Sequence, residues 1–167
     1  MKVIEKEIVN QVWDEIFLMS DRDILLKKFE FREAQNDLSV FIYSTILDKQ
    51  NAHQEVFSWR IILLMDQCFT TVNGEMAKIS SGVIEKVLKS KEARTNADSD
   101  LDIEIEFVPW MNKIGQKELM NRIMIQHNRH CKSFSVSNKE QTNFLMTIVE
   151  IGLMYRNEVN RMDRILN

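Results

Sequence analysis

Four glycines and one proline in 167 residues constrain this chain more than any other feature. Both residue types punctuate turns and break helices, so their scarcity predicts long helices rather than many short strands. The apolar spacing agrees. Ile4, Ile8, Val12, Trp13, Ile16 and Phe17 recur at steps of three and four within residues 3–19, one stripe of an amphipathic helix. Ser20, followed by Asp21 and Asp23, has the form of an N-cap with acids in the first turn. The helix it opens is expected to run to about Ala34 and to bury Leu25, Leu26 and Phe29. Leu38, Phe41, Ile42 and Ile46 keep helical spacing, with a strand as the competing reading because Val40, Ile42 and Tyr43 favour sheets. From Phe57 to Val87 the same steps continue, with Gly74 and Ser80-Ser81-Gly82 as the expected breaks. Residues 89–100, KSKEARTNADSD, have no period and are expected to form a flexible polar loop.

Residues 101–107 differ. Leu101, Ile103, Ile105 and Phe107 alternate with acids, a period of two that suits a short strand with one wet face. Ser137 and Glu140 have capping-box spacing. Phe144, Ile148, Ile151, Tyr155, Val159, Met162 and Leu166 then form a stripe to the end. The expectation is an all-α, single-domain bundle of five or six helices, with one possible strand near 101–107. A length of 167 residues suits one core.

Composition narrows the function classes. A formal net charge of −3 gives no global electrostatic case for nucleic-acid binding. Two cysteines argue against a disulfide scaffold. The N-terminal MKVIEKEIVNQVW is acidic where an export signal is apolar, and no apolar run nears the roughly 18–20 residues of a membrane span. A cytoplasmic protein without a cofactor is expected.

The stretch from Pro109 to Lys132 concentrates the chemistry: the one proline, one tryptophan, two of three histidines and one cysteine. On a helix through it, His127 and Cys131 share the stripe of Met120, Ile123 and Met124, with His130 beside them. Two imidazoles and a thiol are admissible as three zinc ligands, with His53, Cys68 or a carboxylate as the fourth. The competing reading packs Cys131 as a small hydrophobe and His127 as a satisfied core histidine.

Arg122 and His127 have the spacing R-x-x-x-x-H, which resembles the motif of HEPN ribonucleases, small helical bundles that pair as dimers and cut RNA without a metal. The resemblance implies Arg122 on the phosphate charge and His127 moving a proton, with Lys113, Lys117, Arg129 and Lys132 along the backbone. Five residues turn a helix by about 500°, so the two side chains diverge by about 140° and need a helix end or a dimer partner to meet.

The acidic-apolar run 98–111 also suits docking, with Phe107 and Trp110 as aromatic anchors; the competing reading buries both in the protein's own bundle. The first expectation for function is therefore a non-catalytic interaction or regulatory protein acting through a protein partner or a homodimer. A HEPN-like ribonuclease using Arg122 and His127 is the alternative, and a zinc module through His127, His130 and Cys131 the third.

Overall fold

A computed structural model describes residues 2–46, 50, 52–74, 78–95, 112–134 and 138–166. The described chain forms α1 (Lys6–Leu18), α2 (Asp21–Ala34), α3 (Asn36–Thr45), α4 (Ala52–Asn73), α5 (Ser81–Thr95), α6 (Lys117–Phe134) and α7 (Asn138–Leu166). A single helical turn at 112–114 precedes α6. The all-α expectation holds, and among the described residues there is no strand. The helices slightly outnumber the expected five or six, because the long periodic segment divides. Gly74 adopts φ 83°, a left-handed backbone that glycine takes without a Cβ penalty, and α4 ends there. The region 36–45 is helical, so the strand reading of it fails. The backbone of α5 runs through Thr95, so the first part of the expected loop 89–100 is helix. The expected strand at 101–107 and the Ser137–Glu140 box lie outside the residues and side chains described.

The core is organised around α4. Ile61, Ile62, Leu63, Leu64 and Met65 are buried in succession, and five consecutive positions cover the whole circumference of a helix. A helix apolar all round must be surrounded; α4 packs against α1, α2, α6 and α7, and α5 packs on α7. No helix of the described residues is long and apolar enough to cross a membrane.

Polar side chains lock the helix junctions. Ser20 and Asp23 form the capping box expected of this start: Ser20 Oγ accepts from Asp23 N at 3.2 Å and Asp23 Oδ2 accepts from Ser20 N at 3.2 Å. The last turn of α1 has no basic residue of its own. Arg60 of α4 supplies one, donating to Ile16 O at 2.6 Å, Met19 O at 2.9 Å and Asp21 Oδ1 at 3.2 Å, which satisfies carbonyls that a helix end leaves open.

Gln116 does the same for the N-terminal segment. It is 1% exposed, accepts from Ile4 N at 2.8 Å and donates to Lys2 O at 2.9 Å. Gln116→Leu strands a buried N–H, whose desolvation costs about 1–3 kcal/mol. The expected outcome is a loss of about 2 kcal/mol in urea unfolding, with faster hydrogen exchange at the Ile4 amide. An unchanged midpoint would show that the tether contributes nothing.

Two sequence expectations for the N-terminal helices need correcting. In α1, Phe17 shares the helical spacing of the stripe but is exposed; Val9, Val12, Trp13 and Ile16 are the buried set. In α2, Leu25, Leu26 and Phe29 are not buried. They are 37%, 52% and 58% exposed, while Ile24 and Phe31 face the core. The reason is a tertiary partner: Phe31 meets Trp59 of α4 edge-on, ring centroids 5.6 Å apart at 68°. That contact turns α2 so that its second apolar face points outward.

Candidate functional site

Helix α6 has one sharply apolar face, with Leu119, Met120, Ile123, His127 and Cys131 buried. Its C-terminal half therefore carries His127 and Cys131 into the interior, with His130 half-buried beside them. Phe57 of α4 and Phe144 of α7 close on them from either side. The His127 ring stacks on Phe144 (centroids 5.1 Å, 3°) and the His130 ring on Phe57 (3.9 Å, 7°). Phe57 and Phe144 are themselves 5.9 Å apart, so the four rings form one continuous cluster. Beside it lies a cavity of about 120 Å³, whose lining includes Gln50, Gln54, Ser58, Asn143 and Cys131. Ser58 Oγ donates to Gln50 Oε1 at 2.8 Å.

The electrostatics of this site follow from burial. Desolvation, with a smaller contribution from neighbouring His130, pulls His127 down to about 4. His130 is lowered and the Cys131 thiol raised by the same cause. Cys131 Sγ lies 3.4 Å from His127 Nε2 and 3.8 Å from Nδ1. At neutral pH both partners are uncharged, a thiol beside an imidazole rather than a thiolate beside an imidazolium. Such a thiol is a poor nucleophile, and the pocket suits a small uncharged guest or simple packing.

The structure thus brings His127, His130 and Cys131 together on one helix, but the two imidazoles stack on aromatic faces. His53, a possible fourth ligand, stacks toward Phe134 at 6.1 Å. Cys68 sits fully buried on α4, its thiol pushed up to about 12. Among the described residues no group of three or more His, Cys, Asp or Glu side chains is arranged to hold a metal ion.

Arg122 and His127 part company within the chain. Arg122 hydrogen-bonds Asn10 of α1, whereas His127 lies against α7. The two side chains thus leave α6 toward different helices, in keeping with the divergence of about 140° that regular helix geometry gives. Lys113, Lys117, Arg129 and Lys132 are exposed. Phe107 and Trp110 lie outside the described residues.

A second feature escaped sequence reasoning. Leu26 and Phe29 stand outward on α2, with Leu25 beside them. The signal was present as a second apolar pair at helical spacing, opposite Ile24 and Phe31. No protein-family model matches the chain, and neither a curated protein nor a solved structure matches it.

Proposed function

We propose that this chain is a non-catalytic helical interaction protein of the cytoplasm, acting through a docked protein partner or a second copy of itself. The observation that carries the reading is the outward face of α2. Leu26 and Phe29, both more than half exposed, lie next to each other at a spacing of three on a helix whose core face is already filled. Removing such side chains from water is favourable by about 25 cal/mol per Å², and apolar groups held together on a surface mark interaction sites more often than scattered ones do. The uncharged state of the His127–Cys131 pair supports the same reading, since acid–base or thiolate chemistry at neutral pH needs a group that titrates near it.

Native mass spectrometry of untagged protein purified from its own host, without chelators, tests this. A homo-oligomer or a stoichiometric protein complex is expected. A bare monomer under all conditions, together with RNA cleavage lost on Arg122→Ala or His127→Ala, would replace it with the ribonuclease reading.

A further inference from the structure

Resting on that reading, we infer that α2 is the contact helix of a two-fold homodimer, pairing antiparallel with α2 of a second copy. The inference starts from one stripe. Arg22, Leu26, Phe29 and Glu33 are spaced four, three and four apart, and all four are exposed. At about 100° per residue they fall within roughly 60° of one another on the helix surface. Ile24 and Phe31, the buried pair, lie about 180° away. The stripe is charged plus at its start, apolar in its middle and charged minus at its end.

That order is self-complementary in one orientation. When two copies run antiparallel about the midpoint between Leu26 and Phe29, Leu26 of each meets Phe29 of the other. Arg22 of each then meets Glu33 of the other. A parallel pairing would set Arg22 on Arg22 and Glu33 on Glu33, which like-charge repulsion disfavours. A two-fold interface requires one patch that complements itself under rotation, and this stripe meets the condition. The surface also has room: a shallow groove lined by Phe29, Arg32, Glu33 and Asn36 lies where the second copy's Arg22 would arrive. The helix spans about 21 Å, a small footprint, so the dimer belongs to the weak, reversible class.

The test is sedimentation velocity of the full chain over a micromolar concentration series, with four variants. All four change exposed positions, and circular dichroism confirms that each is folded. Leu26→Asp should raise the dimer Kd about a hundredfold. Arg22→Glu and Glu33→Arg should each raise it about tenfold, since each turns two attractions into two repulsions. The double variant Arg22→Glu/Glu33→Arg should return it to within about threefold of the parent. Within one chain those residues are about 16 Å apart along the axis, so rescue can arise only between chains.

A dimer indifferent to these charges, or a double variant no better than the singles, would overturn the register while leaving self-association standing. A monomer that co-purifies with a different protein would overturn the second copy as occupant and keep the interaction reading. Cross-links within one chain from α2 to residues 101–110 would show the stripe covered by the chain's own segment and overturn the inference. A monomer with no partner at all would remove both.

Discussion

Trp59→Ala is expected to cost about 4 kcal/mol, within the range of about 3–5 kcal/mol for emptying a large aromatic site in a core. Trp59 is fully buried and joins three helices. Its ring meets Phe31 of α2 edge-on at 5.6 Å and Tyr43 of α3 at 6.3 Å. The Lys28 ammonium lies 5.9 Å from its centroid, close enough for a cation–π attraction, while Lys28 also bonds Glu55 at 2.6 Å. Alanine removes the surface on which α2 and α3 rest. Their amides should therefore exchange faster than those of α6 and α7, because unfolding free energy is lost first where the contacts were. Trp59→Phe is a control with a different expectation. The indole Nε1–H has no acceptor among the described residues, so phenylalanine gives up volume but no hydrogen bond. It should cost less than about 1.5 kcal/mol. Equal losses for the two variants would mean that a ring of phenylalanine's size supports α2 no better than alanine does, and that only the full indole fills the site. Since α2 carries the outward stripe, Trp59→Ala should also weaken self-association, without touching any residue of the contact.

Which parts of this were legible in the sequence depends on how far each contact reaches along the chain. Local signals were legible. The scarcity of glycine and proline foretold helices, Ser20 and Asp23 foretold the start of α2, and Gly74 foretold the end of α4. The apolar period found Val12, Trp13 and Ile16 in α1, and Leu38, Phe41 and Ile42 in α3. It failed on α2 for a physical reason. A helix with apolar pairs on opposite faces has no single stripe to find, and Leu25, Leu26 and Phe29 outnumber Ile24 and Phe31. Only the partner, Trp59, twenty-eight residues beyond Phe31, decides which face turns inward. The site divides in the same way. That His127, His130 and Cys131 are neighbours follows from spacing on one helix. That two of them stack on Phe57 and Phe144 does not, because those rings arrive from other helices. The imidazole chemistry changes accordingly: buried against an aromatic ring, His127 loses the near-neutral basicity that a free imidazole has.

That loss predicts the acid behaviour of the fold. His127 has a native value of about 4 against 6.5 for the free side chain. Between those limits the unfolded chain binds a proton that the native chain refuses. Stability must then rise with pH across the window, or equivalently fall as the solution is acidified from about pH 6.5 to about pH 4. Each tenfold difference in proton affinity is worth about 1.4 kcal/mol. The full span would exceed 3 kcal/mol, and water admitted by the adjoining cavity brings the expected loss to about 2–3 kcal/mol. His130, lowered by the same desolvation, acts in the same direction. Asp66 acts against both. Burial raises its carboxyl even though the Tyr155 hydroxyl donates to it at 2.5 Å, so the native state takes up that proton before the unfolded chain does and offsets part of the loss at the acid end. Urea unfolding at pH 7, 6, 5 and 4 should show the decline, and His127→Gln should flatten it whatever its stability at pH 7. A variant that keeps the parent's slope would place the acid sensitivity on His130 or the carboxylates. The imidazole of His127 would then take up its proton in the native state as readily as in the unfolded chain, and its burial against Phe144 would carry no electrostatic cost.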